Sequence, residues 1–107
     1  MELSDLFKQA KAVQEKAAEM QAQLATIEVE GTSGGGLVRV TMTGKGALKR
    51  VSVDPSLMKP DEKEIVEDLI VAAHADAKAK AERRMSEEMQ KIAGDLGLPP
   101  GLGIPGL

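Results

Sequence analysis

Two long stretches of heptad-spaced apolar residues, separated by a short block of alternating ones, constrain this chain more than any other feature. In the first stretch Leu6, Ala10, Val13, Ala17, Met20, Leu24 and Ile27 recur at alternating steps of four and three. That spacing forms the a/d seam of a helix that packs on another helix. In the last stretch Val66, Ile70, Ala73, Ala77, Ala81, Met85, Glu88 and Ile92 lie on one line, apolar except at Glu88. Between the two stretches the period drops to two. That block is too short a sheet to cover both stripes, so the chain reads as half of an oligomer with helical arms.

The amino-acid usage points the same way. At 107 residues the chain is one domain by length. It has no Cys, Trp or Tyr, and Phe7 is its only aromatic. Neither a disulfide framework nor a thiolate metal site is possible. A core without aromatics rests on Leu, Ile, Val, Met and Ala, which is marginal for a small monomer. Dimerisation is the simplest remedy. No apolar run approaches the roughly 18 residues of a membrane span, and the N-terminus lacks a signal-peptide pattern. The expected location is the cytoplasm. The formal net charge of −3 argues mildly against nucleic acid, but the distribution of charge matters more than its sum.

The local signals predict five elements. Ser4 reads as an N-cap with Asp5 in the first turn, opening a helix to about Leu24 in Ala, Gln, Glu, Lys and Met. Ile27 and Val29 alternate with Glu28 and Glu30 as a first strand. Gly31–Gly36 then forms a turn. Val38, Val40 and Met42 mark a second strand, Gly44–Gly46 a tight connection, and Val51 and Val53 a third strand. One face of this meander collects Ile27, Val29, Val38, Val40, Met42, Val51 and Val53. The other carries Glu28, Arg39, Thr41, Arg50 and Ser52. Asp61 with Glu64 makes a capping-box-like start to a second helix, which runs to about Ala93 with Gly94 as its stop. The expected fold is α+β, in the order α-β-β-β-α. Residues 1–95 form the domain, and 96–107 are a Gly/Pro/Leu-rich tail, mobile or docked in a partner's groove.

No residue set supports catalysis. His74 stands alone in the second helix and reads as an ordinary, partly buried helix residue; without Cys it makes a poor metal site. Ser33–Gly36 and Gly44–Gly46 are glycine-rich, but neither is followed by Lys-Ser/Thr and a helix, so both read as hairpin turns. Glu62, Glu64, Glu67 and Asp68 crowd a helix start, where the dipole favours acids. The basic residues are more informative. Lys78, Lys80, Arg83 and Arg84 cluster in the second helix, and Lys8 and Lys11 are helical neighbours in the first. Arg39, Lys45, Lys49 and Arg50 make the sheet region net positive. Each group either contacts phosphates or is a solvated face with i,i+4 pairing. No aromatics interleave with them, which disfavours single-strand stacking.

Several segments resemble one known family. Glu28–Gly44 (E-V-E-G-T-S-G-G-G-L-V-R-V-T-M-T-G), Lys49–Leu57 (K-R-V-S-V-D-P-S-L), Glu67–Ala73 (E-D-L-I-V-A-A) and Leu98–Leu102 (L-P-P-G-L) are similar to the YbaB/EbfC family of bacterial nucleoid-associated proteins. The match runs in the right order over nearly the whole chain. The resemblance implies helix, three-stranded antiparallel sheet and long helix, in a homodimer whose helices project like the arms of tweezers. It implies double-stranded DNA as partner, a nucleoid location, a role in chromosome organisation and sometimes gene regulation. It implies no cofactor and no small-molecule substrate. Local charge and the arm geometry then select Lys8, Lys11, Lys78, Lys80, Arg83 and Arg84 as phosphate contacts. Leu24, Ile27, Val38, Val40, Met42, Val51 and Val53 are the expected core and dimer residues. The rival reading is a protein-interaction adaptor that uses the helices or the Leu/Pro tail.

Overall fold

Residues 2–95 and Gly97 are described by a computed structural model. Helix α1 spans Leu3–Thr26 and helix α2 spans Lys63–Asp95. Between them lie β1 (Glu28–Ser33), β2 (Val38–Thr43) and β3 (Leu48–Val53), an antiparallel sheet in the order β1-β2-β3. The predicted α-β-β-β-α order is therefore present. The tail, apart from Gly97, lies outside the described residues. The molecule is long, 69 × 22 × 16 Å, with a radius of gyration of 19.2 Å. A compact domain of this length has about 13 Å.

Register sets which residues share a face. Val29 pairs with Met42, Gly31 with Val40, and Val40 in turn with Val51. That face meets α2. Val38, Val40, Met42, Leu57, Ala73, Ala77 and Ala81 form one buried cluster, with Val29, Val53, Val66, Leu69 and Ile70 packed against it. The Ala line of α2 is what permits this close packing. A Cβ at Gly31 would land on the Ala73 carbonyl oxygen and the Ala77 amide nitrogen. The other face carries Glu28, Arg39, Thr41, Arg50 and Ser52, as the alternation predicts; all are exposed except the half-buried Thr41.

Several expectations need correction. α1 starts one residue before Ser4: Glu2 occupies the cap position without a side-chain bond, and its carbonyl accepts from the Asp5 amide at 3.0 Å. The helix also runs on to Thr26, whose hydroxyl donates back to the Gln23 carbonyl at 2.8 Å. Ile27 consequently caps the helix rather than starting the strand, and it is only half-buried. Gly31 belongs to β1 and not to the turn, because its missing side chain is needed under α2. The turn shrinks to Gly34–Gly36, where Gly35 has φ 67°. α2 is preceded by a 3-10 turn at Pro60–Glu62, and it passes through Gly94 instead of stopping there.

Two corrections concern the core. Val51 is 42% exposed and Val53 is half-buried, because α2 lies across β1 and β2 and leaves β3 uncovered. A β-bulge adds to this: Thr41 pairs with Arg50 but Met42 with Leu48, leaving Lys49 as the extra residue. In α1 only Met20 and Leu24 are buried; Leu6 and Val13, on the same seam, are 49% and 48% exposed. Leu24 itself is fully buried and packs on Gly44, where a Cβ would come within 2.9 Å of it. Residues 2–15 are all exposed, so none of the described residues buries the first half of the helix.

Candidate nucleic-acid interface

The basic residues fall into two kinds, those bound to the fold and those left at its surface. Lys80 is bound. Its Nζ donates to the Glu30 carbonyl at 2.8 Å and to Asp76 Oδ2 at 3.0 Å. The same Asp76 oxygen accepts the Thr32 amide at 3.0 Å. Glu30 and Thr32 lie on the outer edge of β1, so two side chains of α2 satisfy a sheet edge that would otherwise be open. Ser33 adds a third tie, its hydroxyl donating to the Leu69 carbonyl at 2.6 Å.

The Thr32 amide, followed by Lys80, holds the Asp76 carboxyl below its usual range. A carboxylate with a lowered folded pKa stabilises the fold above its unfolded value, about 3.9, and loses that contribution as pH falls through the folded value. Asp76→Asn is accordingly expected to lower Tm at pH 7 and to narrow its gap from wild type as pH drops below about 4. Acid titration of the two melting curves checks this; a gap constant with pH would show that the charge on Asp76 contributes nothing.

Arg84 is also bound. Its Nε lies 3.3 Å from Glu88 Oε1, and Lys91 Nζ lies 3.2 Å from the same oxygen. Lys78, Arg83, Lys8 and Lys11 are exposed, and none has an ion pair among the described residues. The six predicted residues thus do not form one patch. At 3.6 residues per turn Lys78 and Lys80 stand about 200° apart around α2. Lys80, Arg84 and Lys91 run along one flank of its buried face instead. Sequence reasoning missed Lys91; the signal was its place seven residues beyond Arg84 and three beyond Glu88. Lys8 and Lys11 sit on the free end of α1, which extends about 20 Å from Lys16 to Leu3.

The sheet's polar face carries its own cations. Arg39 lies 3.6 Å from Glu30, and Arg50 lies 3.4 Å from Glu28. Each guanidinium therefore has a carboxylate beside it. His74 is exposed rather than partly buried. Among the described residues no three His, Cys, Asp or Glu side chains converge as a metal site would require.

Comparison with known proteins gives this surface its context. The YbaB/EbfC DNA-binding family matches residues 1–96. A nucleoid-associated protein of Bradyrhizobium sp. (strain ORS 278) is 59% identical over 99 residues, 92% of this chain and 93% of the relative. One from Rhodopseudomonas palustris (strain BisB5) is 60% identical over the same shares of both chains. One from Granulibacter bethesdensis is 54% identical over 103 residues, 96% of each. The crystal structure of an uncharacterized protein from Helicobacter pylori shares the fold, with a TM-score of 0.69 at 22% identity, over 90% of this chain and 97% of that one. These names concern DNA and the nucleoid, not catalysis. On a match that spans both helices and the sheet, the chain belongs to the YbaB/EbfC DNA-binding family.

Proposed function

We propose that this protein is a homodimeric, nucleoid-associated DNA-binding protein of the bacterial cytoplasm, which grips duplex phosphates with its helical arms. The observation that carries the reading is the set of exposed lysines and arginine on elongated helices, in a chain of a DNA-binding family. Lys8, Lys11, Lys78 and Arg83 make the first contacts, since their charges are not already taken. Lys80 is assigned to the fold, and Arg84 joins only when it leaves Glu88. Such contacts position a protein on DNA without reading sequence, which suits chromosome organisation; any gene regulation would follow from where the protein sits.

Support for the dimer comes from what α2 leaves bare. Leu48 and Val51 on β3 are 52% and 42% exposed. A second copy is the occupant that fits, because the same apolar surface recurs on it and a symmetric interface is self-complementary. Val51→Asp is expected to give a folded monomer, because Val51 is not buried within one chain. Val40→Asp is expected to unfold the protein, because a charge there is buried without a partner. Sedimentation and circular dichroism separate the two outcomes. A wild-type protein that sediments as a stable monomer would rule the dimer out.

The direct test is fluorescence anisotropy of unrelated labelled duplexes at about 50 and 200 mM salt. Binding led by phosphates weakens steeply over that range, with little preference among sequences. Absence of binding at the lower salt would favour the adaptor, and a partner should then be sought.

A further inference from the structure

Glu88 is the one charged residue on the line by which α2 packs. Its neighbours on that line, Ala73, Ala77 and Ala81, are buried, and Met85 and Ile92 are half-buried. Glu88 keeps only 8% of its surface exposed. It faces a cleft of about 300 Å³ between the two helices, where Lys16, Glu19, Met20 and Gln23 of α1 meet Lys91, Ile92 and Asp95 of α2. Two cations of α2 turn inward to it, Arg84 at 3.3 Å and Lys91 at 3.2 Å, on the same oxygen, whereas Lys16 in the same cleft pairs with Glu19. The cations remain largely at the surface, with 45% and 67% of their side chains exposed, while the carboxylate is enclosed. One buried anion therefore holds two accessible cations that sit seven residues, about two turns, apart on one flank of a helix.

An oxygen anion bridging an Arg and a Lys is also how a DNA phosphate would be held. We propose that Glu88 is a built-in phosphate surrogate: it occupies Arg84 and Lys91 in the free protein, and a duplex must compete with it for them. The proposal rests on the DNA-binding reading above. In its terms Glu88 is a positioning residue that limits affinity, keeping the protein's grip on DNA weak and exchangeable. A carboxylate is suited to this because its single charge balances only one of the two cations. The three groups together carry one net positive charge, and the Arg84 Nε and one Lys91 N–H are directed at the carboxylate rather than outward.

The test compares Glu88→Gln with Glu87→Gln in the full-length protein. Both remove one negative charge from α2, but Glu87 is exposed and takes no part in an ion pair among the described residues. Anisotropy titration of a labelled duplex should show Glu88→Gln binding about tenfold tighter. Its salt dependence should be steeper by nearly two, at about 0.9 per newly engaged phosphate. Glu87→Gln should shift affinity no more than about threefold and leave the slope unchanged. The gain of Glu88→Gln should vanish in an Arg84→Gln, Lys91→Gln background. Equal effects of the two glutamine variants, or a gain that survives in that background, overturns the proposal while the DNA-binding reading stands. A wild-type protein that binds no duplex overturns both. Should Glu88→Gln fail to fold, the Arg84 Nε–H resonance of the wild-type protein decides: it is expected to move when duplex is added, and a stationary signal overturns the proposal.

Discussion

Replacing Gly31 by Ala is expected to lower Tm by about 15 °C or more, the largest effect of any single methyl group in this protein. The added Cβ would lie 2.7 Å from the Ala77 Cβ and would also meet the Ala73 carbonyl and the Ala77 amide. Those are backbone and stub atoms, with no rotamer by which to move aside. Relief requires α2 to lift from β1. That motion loosens Ala73, Ala77 and Ala81 against Val38 and Val40. It also stretches the bonds from Thr32 to Asp76 and from Lys80 to Glu30. Overpacking of this kind costs about 3 kcal/mol or more, a large share of the stability of a small domain. Gly94→Ala is the control. Nothing lies within 4 Å of its added Cβ, and helix propensity favours the change by up to about 1 kcal/mol. Thermal melts followed by circular dichroism should therefore move in opposite directions. A Gly31→Ala melt within about 3 °C of wild type would mean that α2 does not sit tightly on β1 at Gly31.

The largest expected functional effect belongs to the quadruple change Lys8, Lys11, Lys78, Arg83→Ala. All four side chains are exposed, so the fold should survive. If each contacts a phosphate and contributes about 1 kcal/mol, duplex affinity falls by on the order of a hundredfold to a thousandfold. The dependence of log affinity on log salt should flatten by about 0.9 for each lost contact. Lys80→Ala should behave differently. It removes bonds to Asp76 and to the Glu30 carbonyl, so stability should fall while the salt slope barely changes. A quadruple variant with unchanged affinity and slope would place the interface elsewhere, with the sheet cations Arg39 and Arg50 the next to test.

How much of this was readable beforehand depended on whether a residue's partner lies near in sequence or across the fold. The period of two and the pairing of Val38, Val40 and Met42 with their neighbours follow from local pattern, and they hold. The Ala line of α2 was legible for the same reason. The alternation around Val51 is the same whether or not a helix lies above it; only the path of α2 over β1 and β2 decides its exposure within one chain. Gly31 looked like turn because it stands near the Gly34–Gly36 run, yet its role is set by Ala73 and Ala77, more than 40 residues away. The basic residues show the same limit. Lys78, Lys80, Arg83 and Arg84 form one cluster in sequence, but acids beside them on the helix separate bound from unbound. Asp76 and Glu88 were visible at four residues' distance, and the carbonyl of Glu30 was not.

The two edges of the sheet are unlike. Asp76 and Lys80 close the outer side of β1, whereas β3 has no strand beyond it among the described residues. A sheet open on both sides can recruit copies without limit, each addition presenting a fresh edge. Here any strand-to-strand growth must start from β3, and once two copies meet there each has only a blocked β1 to offer. Growth by that route terminates after a single step, so two copies could meet edge to edge without seeding an open-ended fibre.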